Sequence, residues 1–587
     1  MKKRVISILL ICIMVLSAVG CGQKNEQSSS QKSSAENTSD VSSVQQSTEI
    51  EEESPYPEYL NLDTYFPLVK EGEKVTLNIL LVEDFESDAE DRFFFKMIED
   101  KMNVNLEIQE ISWEGEGDYI NLMFASDTVP DIVFGGQALT LEQLMVYGDV
   151  EGQLLDFAPY AEDANLMPNL NGLFKELPTL KANISTPSGG IYGQVLISDY
   201  DGVGIYNKRF INNGLIEEMN MKSPETLDDF IELLYAVKEK YPDMIPLGGN
   251  YDGYNPSGIL MNALGVNDAA TSNIYEVGLR NGEPVVLAGD KEIFGEYLKI
   301  MKQFYDDGII YRDFFTMDNA LIDKDVEEGK VFAYVGSSKP PVGYETGQWS
   351  NIPVLTSEYS ETPVLGYTNM FSIGRVYASS KTEHPELVAR LVDYLYSDEG
   401  NYLFAFGPCV TQTEFLDVIS DVNIGWKLSD NNSFVYQAVE DGKFAKANDL
   451  KFSYIAGGYL PYGNNNGLIQ YRQELYGRET IKTDYENWLS EGNSQNAWWR
   501  IALYENYKPV ATEGLPNLFF DSDTSLRINE LKSVIKAYME TETVKFITGE
   551  RALSELDDYI KALNEMGYEE YIGYYKDAYA AFQANMK

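Results

Sequence analysis

Residues 121–136 read NLMFASDTVPDIVFGG, and this stretch decides the fold class. It opens with a helical pattern of apolar positions that ends at Asp127 and Pro130, because proline lacks an amide hydrogen and restricts the residue before it. Residues 132–134 (IVF) then form a short apolar run, typical of a strand buried on both faces of a parallel sheet. The glycine pair 135–136 follows at the strand's carboxyl end, where open α/β sheets bind ligands. An ordinary helix-to-strand connection would show the same pattern, so a binding site here stays a hypothesis.

The residues before this stretch repeat the same order of elements. Alternating apolar residues at 75–81 predict a first strand, and Phe94, Met97 and Ile98 share one face of a following helix. Residues 104–108 alternate again as a second strand. With residues 118–134 the order is β-α-β-α-β, which predicts a parallel sheet with right-handed crossovers.

The N-terminus predicts export and anchoring. Residues 1–20 hold three basic residues and then fifteen apolar or small residues from Val5 to Val19, fewer than the roughly 20 that a spanning helix needs. Ala18-Val19-Gly20-Cys21 resembles a bacterial lipobox, although Ala18 stands where leucine is usual, and the resemblance implies that Cys21 is acylated, for example with palmitate. Residues 21–57 are rich in Ser, Gln and Glu and predict a flexible tether. We therefore expect a lipoprotein at the outer face of the bacterial cell membrane.

Composition narrows the class of protein further. The formal net charge of −48 disfavours nucleic acid as a partner, because phosphate binding needs a basic surface. Cys12 lies in the leader and Cys21 is the anchor, so Cys409 has no partner for an intramolecular disulfide and the fold must depend on its core. With 587 residues and 44% hydrophobic composition, we expect two or more lobes.

No catalytic motif is found in the sequence. There is no HExxH, CxxC, GxSxG, Walker A or GxGxxG stretch, and the single histidine, His384, precedes Pro385 at a helix start. A Ser-His-Asp triad and a histidine-based zinc site are excluded. The acidic run 521–525 lacks the glycine and glutamate that an EF-hand needs at the required positions. We predict no enzymatic activity, no cofactor and no metal-binding site residue, and a structural calcium ion stays open.

Several blocks resemble the family 1 extracellular solute-binding proteins of ABC transporters, in the order that the family shows them. The first is the stretch 121–135, which is similar to the family's ASGxxPDI segment except that Asp127 stands where glycine is usual. Further blocks are GIYG at 190–193, GIYNK at 204–208, YDDG at 305–308, GKVFA at 329–333, YSDEG at 396–400 and KFITG at 545–549. The resemblance covers nearly the whole chain after Pro57.

This resemblance implies an α/β fold of the two-lobed periplasmic-binding-protein type (type II), with parallel or mixed sheets flanked by helices and hinge strands that cross between the lobes. It implies a monomer that captures an oligosaccharide or related solute between the lobes and delivers it to ABC permease subunits. Neutral oligosaccharides, uronate oligomers and peptides stay open as ligands. The predicted boundaries are the leader 1–20, the tether 21–57, a first lobe from 58–199 and 365–420, a second from 200–364 and 421–510, and C-terminal helices at 511–587.

Two other functions fit an exported lipoprotein: a polysaccharide-degrading enzyme and a surface adhesin. A sugar site would combine aromatic rings, which pack against pyranose C–H faces, with polar side chains that take the hydroxyls. Aromatic and amide residues in loops at strand ends or crossings are the best candidates, since most rings of such a chain belong to its core. The predicted ligand-binding residues are Trp113, Phe134, Gln137, Tyr192, Tyr206, Tyr254, Trp349, Tyr367, Asn369, Trp498 and Trp499.

Overall fold

The computed structural model describes residues 55–82, 87–136, 138–197, 208–268, 271–336, 341–344, 346–367, 371–420, 422–428, 434–455, 507 and 509–586. The described residues from Tyr56 onward belong to one compact unit. Its strands are β1 (Val75–Val82), β2 (Val104–Ile111), β3 (Ile132–Gly135), β4 (Val195–Ile197), β5 (Arg209–Asn212), β6 (Ile245–Gly248), β7 (Val277–Arg280), β8 (Glu283–Val286), β9 (Val331–Val335), β10 (Trp349–Asn351), β11 (Leu365–Tyr367), β12 (Phe371–Ile373), β13 (Val376–Ala378), β14 (Trp426–Leu428), β15 (Phe434–Tyr436) and β16 (Ala511–Glu513).

The α-helices of these residues are numbered in chain order. They are α1 (Phe93–Met102), α2 (Glu116–Ala125), α3 (Leu141–Leu144), α4 (Ala158–Glu162), α5 (Pro168–Glu176), α6 (Leu180–Ile184), α7 (Asn213–Glu218), α8 (Leu227–Lys240), α9 (Ser257–Ala263), α10 (Lys291–Asp307), α11 (Asn319–Glu327), α12 (Pro385–Tyr394), α13 (Asp398–Phe406), α14 (Thr413–Leu416), α15 (Gln437–Glu440), α16 (Ala447–Leu450), α17 (Ser522–Thr548), α18 (Leu556–Glu565) and α19 (Tyr568–Asn585).

The first sheet has the strand order β13-β3-β1-β2. Strand β1 pairs in parallel with β2 and with β3, so the β-α-β-α-β order predicted from the sequence is confirmed. Strand β13 joins the edge antiparallel to β3. All four residues of β3 are buried, as its apolar run indicates.

The second sheet has the order β10-β5-β9-β6. Strand β6 runs parallel to β9, whereas β5 is antiparallel to β9 and β10 is antiparallel to β5. The carboxyl ends of β6 and β9 therefore lie at the same edge of this sheet as the beginning of β5. That edge positions the cavity described below.

Local sequence accounts for where several elements begin and end. Helix α8 begins at a capping box in which Thr226 and Asp229 each accept a backbone N–H. Asp127, which replaces the usual glycine after α2, adopts a left-handed conformation with φ of 55°. Aspartate tolerates this region better than most side chains, which accounts for the substitution. Asp521 caps α17 by accepting the Thr524 backbone N–H at 2.8 Å, a structural role for the acidic run 521–525.

Two large hydrophobic cores divide the compact unit into two lobes. The first lobe packs α1, α12 and α13 around the first sheet, and the second packs α8, α9, α10 and the C-terminal helices around the second sheet. A smaller cluster containing Phe210, Tyr334 and Trp349 lies on the second sheet. The helices α17 to α19 belong to the second lobe, since α17 packs along α10.

The structure differs from the predicted boundaries after residue 420. Described residues of 422–455 pack in the first core rather than the second. Trp426 accounts for this placement, because its ring is fully buried there and its indole N–H donates to the Gly407 carbonyl at 2.8 Å.

Cys409 and His384, which the sequence analysis considered for a disulfide and for catalysis, are buried and half-buried, respectively. Cys409 is buried and unpaired among the described residues. His384 is half-buried, and its Nδ1 lies 3.0 Å from the Tyr59 hydroxyl. Within the part of the chain that the structure covers, no helix combines the length and apolarity needed to cross a membrane.

Candidate functional site

Among the described residues, three parts of the chain lie between the two lobes or contact both of them. The chain leaves the first lobe after β4 and enters the second at β5, and it returns between β11 and β12. Strands β4 and β12 pair antiparallel, and β11 pairs in parallel with β16, which begins the third crossing. The crossings predicted near residues 198–206 and 365–373 stay predictions, because residues 198–207 and 368–370 lie outside the described part.

The third crossing is hydrogen-bonded to both lobes. Asn267 of the second lobe donates through its side-chain amide to Thr512 Oγ1 at 2.9 Å and to the Glu513 carbonyl at 3.0 Å. Asn517 donates to the Phe371 carbonyl of the first lobe at 2.9 Å. Phe519 then packs against the first core and its neighbour Phe520 against the second. This segment is therefore positioned to act as a hinge.

A cavity of about 700 Å³ opens at the carboxyl end of β6, within the size range of small-molecule sites. It is lined by the loop after β6, by residues 271–275, by Phe315 and by one face of α17. All lining residues belong to the second lobe. Residues 271–275 follow closely on Asn267, which holds the third crossing, so the cavity adjoins the hinge.

Aromatic side chains form one wall of the cavity. Tyr251 and Phe315 lie with ring centroids 5.3 Å apart and ring planes at 55°. The hydroxyls of Tyr251 and Tyr275 are 2.6 Å apart, and burial raises the pKa of both phenols, so both stay protonated at neutral pH. Half-buried rings beside hydroxyl donors are suited to binding a polar molecule with apolar faces, such as a sugar.

Short polar side chains complete the lining. Asn255 and Asn273 are held in turns: Asn255 donates to the Tyr251 carbonyl at 3.1 Å, and Asn273 accepts the Tyr275 backbone N–H at 3.0 Å. The hydroxyls of Thr271 and Thr541 and the carboxylates of Asp252 and Glu540 lie on the same surface. These groups supply both hydrogen-bond donors and acceptors, as hydroxyl-rich ligands require.

An ion cluster fixes α17 against the loop that lines the cavity. Glu276 accepts from Lys532 at 2.7 Å and from Lys536 at 2.9 Å, one ammonium on each carboxylate oxygen. Burial alone would raise the pKa of Glu276, but the two ammonium groups outweigh burial and hold that pKa below its usual value. The hydrogen bond to Glu276 raises the pKa of Lys536 in turn. Glu276 and Lys536 are therefore both charged at neutral pH.

A second set of polar residues lies in the first lobe, at the edge of the first sheet where its parallel strands end. Gly136 has φ of 74°, and a Cβ placed on it would lie 1.9 Å from Glu116 Oε1, so the buried Glu116 carboxylate rests against this backbone. Arg375, which follows β12 closely, donates to the Gly136 carbonyl at 3.3 Å. Trp113 is half-buried in the turn after β2. This edge, like the cavity, adjoins a crossing strand.

The residues predicted to bind ligand fall into three groups. Trp113, Tyr254 and Tyr367 are half-buried at strand ends, and the Tyr254 hydroxyl donates to Asp323 at 3.2 Å. Phe134, Tyr192 and Trp349 are buried, with 0%, 8% and 5% of their surface exposed. Gln137, Tyr206, Asn369, Trp498, Trp499 and the proposed lipid anchor Cys21 lie outside the described residues. The structure brings none of the described ones into the lining of the cavity, although Tyr254 lies in the same loop as Tyr251.

Sequence reasoning missed most of the residues that line the cavity. Tyr251 carries a local signal, since it follows the strand Ile245–Gly248 by three positions and lies beside Asn250. Phe315 and the α17 residues Lys536 and Glu540 carry none, because only the packing of α17 brings them to the end of β6. No group of three or more metal-binding side chains occurs among the residues that the structure covers.

The fold is that of a two-lobed solute-binding protein, and comparison with known proteins agrees. No protein-family model matches the chain. The fructooligosaccharide ABC transporter substrate-binding protein FusA of Streptococcus pneumoniae is 23% identical over 557 residues, which cover 90% of this chain and 94% of FusA. Lipoprotein LipO of Bacillus subtilis is 26% identical over 41% of this chain and 48% of its own length. An extracellular solute-binding protein of Bifidobacterium longum subsp. infantis superimposes with a TM-score of 0.64 at 16% identity, covering 87% of this chain and 99% of that one.

The chain thus has the two-lobed fold of solute-binding proteins and is similar over most of its length to a substrate-binding protein of an ABC transporter, in agreement with the resemblance found in its sequence. FusA is named as a substrate-binding protein and LipO as a lipoprotein.

Proposed function

We propose that the protein is a lipid-anchored receptor at the outer face of a bacterial membrane, which captures an oligosaccharide between its lobes and delivers it to permease subunits. The observation that carries the ligand class is the cavity at the end of β6, where the rings of Tyr251 and Phe315 lie beside amide, hydroxyl and carboxylate groups. The binding of fructo-oligosaccharide named for FusA supports a saccharide. The lipobox-like Ala18–Cys21 and the likeness to a named lipoprotein support the anchor.

Capture would work by closure of the lobes about the hinge. A ligand that touches both the second-lobe cavity and the first-lobe edge at Glu116 and Arg375 binds the closed form more tightly than the open one. It then shifts the population toward closure by that difference in affinity. The permease would distinguish the closed, loaded protein from the open one by shape.

A thermal-shift screen against a panel of oligosaccharides tests this proposal. A ligand that binds only the folded protein stabilises it by about 2.7 kcal/mol at a hundredfold excess over Kd. Calorimetry on the best ligand then compares Phe315→Ala with the matched control Phe444→Ala, a half-buried ring of the first lobe. We expect Phe315→Ala to weaken binding by roughly 1 to 3 kcal/mol and Phe444→Ala to leave it unchanged.

Two results would contradict the proposal. If Phe315→Ala and Phe444→Ala bind the sugar with equal affinity, the sugar does not bind in this cavity. If no saccharide stabilises the protein, the ligand is not an oligosaccharide. Shorter products formed from a labelled oligosaccharide would favour the polysaccharide-degrading alternative instead.

A further inference from the structure

We propose that the cavity selects saccharides by charge: it accepts neutral or amino-bearing sugars and rejects those that carry carboxylates. This inference rests on the proposed function and narrows its ligand class. Three charged residues line the cavity: Asp252, Lys536 and Glu540. Their surroundings decide which charge the ligand meets.

The two carboxylates line the cavity without a close ion pair, although the negative charge of Glu540 contributes, after Glu276, to the raised pKa of Lys536. Neither Asp252 nor Glu540 takes part in an ion pair with any residue that the structure covers. Both lie near the Tyr251 hydroxyl: burial is the main cause of the raised pKa of Tyr251, and both negative charges add to it. Their oxygens are therefore available to accept hydrogen bonds from sugar hydroxyls or to pair with an ammonium group.

Lys536, the one cation among the described residues that line the cavity, is already paired with Glu276. Lys536 and Lys532 lie one helical turn apart on α17 and share Glu276, which places one carboxylate oxygen 2.9 Å from Lys536 Nζ and the other 2.7 Å from Lys532 Nζ. Glu540 lies a further turn along the same face of the helix. A ligand carboxylate would meet Lys536 only by competing with Glu276, while it approached two unpaired carboxylates.

The aromatic wall favours the same selection. The rings of Tyr251 and Phe315 present faces whose negative potential attracts ammonium groups and the polarised C–H bonds of a sugar, and repels anions. Like charges that approach across a binding surface are a common means of excluding the wrong ligand. The charges and the aromatic rings of the cavity thus both favour neutral or amino-bearing sugars over sugars that carry carboxylates.

Isothermal titration calorimetry of the full-length protein tests the selection at low salt, where charge effects are largest. The probes are trisaccharides matched in size: kestose, maltotriose and cellotriose as neutral sugars, chitosan trimer as the amino sugar, and trimers of galacturonate and of alginate as uronates. We expect the best neutral or amino trimer to bind at least tenfold more tightly than either uronate trimer.

Three variants assign the selection to its residues. The gap in affinity is the ratio of the Kd of a uronate trimer to the Kd of the best neutral trimer. Asp252→Asn and Glu540→Gln should each reduce this ratio about threefold or more. Glu550→Gln, which removes an exposed charge just beyond the end of α17, should leave the gap unchanged.

The outcomes separate the two proposals. A uronate trimer that binds the wild-type protein as tightly as the best neutral trimer overturns the charge selection while leaving oligosaccharide capture intact. A preference for neutral sugars that persists undiminished in Asp252→Asn and Glu540→Gln also overturns it. If no saccharide of any charge binds, the proposed function itself fails and the charge selection fails with it.

Discussion

Replacing Glu276 by glutamine should remove the ion cluster that joins α17 to the cavity loop. The carboxylate has 29% of its side chain exposed and the two lysines 36% and 34%, so solvent screens both pairs and each is worth less than a buried one. At roughly 0.5 to 1 kcal/mol for each partly exposed pair, Glu276→Gln should lower the free energy of unfolding by about 1 to 2 kcal/mol at pH 7.

The effect should depend on pH with a defined sign. The pKa of Glu276 is lower in the folded protein than in the unfolded chain, where it is about 4.3, so the unfolded state binds the proton more readily. The stabilisation is therefore present above that unfolded pKa and is lost as pH falls through the folded pKa.

Urea denaturation at pH 7 and at several values down to pH 3.5 measures the difference between Glu276→Gln and wild type. Glu283→Gln, an exposed change on β8, is the control and should shift stability by less than about 0.5 kcal/mol. The reasoning is refuted if Glu276→Gln lowers the free energy of unfolding at pH 7 no more than the control does. It is also refuted if the loss of stability in Glu276→Gln stays constant down to pH 3.5.

Three further predictions concern the core, the anchor and the hinge. Trp349→Ala should lower the free energy of unfolding by about 3 to 5 kcal/mol, because the ring is buried against Tyr334. Calorimetry should show that the folded fraction of this variant binds ligand with unchanged affinity. A stable variant with weakened binding would instead indicate that Trp349 belongs to the ligand site. Cys21→Ser should move the protein from the membrane to the soluble fraction, and a variant that stays membrane-bound after leader removal would defeat the lipoprotein prediction. Saturating ligand should reduce the radius of gyration in small-angle scattering, whereas an unchanged radius would indicate a rigid platform.

The fold could be predicted where a local pattern determines the element. Residues 121–136 contain their own helix end, turn and buried strand, so these elements were predicted in type and place. Strand order at the sheet edges and the lobe to which residues 422–455 belong depend on contacts distant in sequence. The burial of Trp426 places residues 422–455 in the first lobe, and no residue near Trp426 in the sequence indicates that burial.

The site was predicted less completely for a physical reason. The rule that ligands bind at strand ends directs attention to the loop after β6, but it does not distinguish Tyr251, which lines the cavity, from Tyr254, whose hydroxyl donates to Asp323. Trp349 has the small and polar neighbours of a binding loop, yet it pairs in β10 and packs inward. Lys536 and Glu540 are ordinary helix residues until the C-terminal helices pack against the second lobe.

Hydrogen exchange with and without the best saccharide tests the central claim most directly, because it reports where the ligand binds without replacing any residue. The account predicts that backbone amides at 250–255, 271–275 and 536–544 gain protection on binding, together with those around Gly136 and Arg375 as the lobes close. Protection confined to surfaces away from these segments, at ligand concentrations that saturate binding, would contradict it.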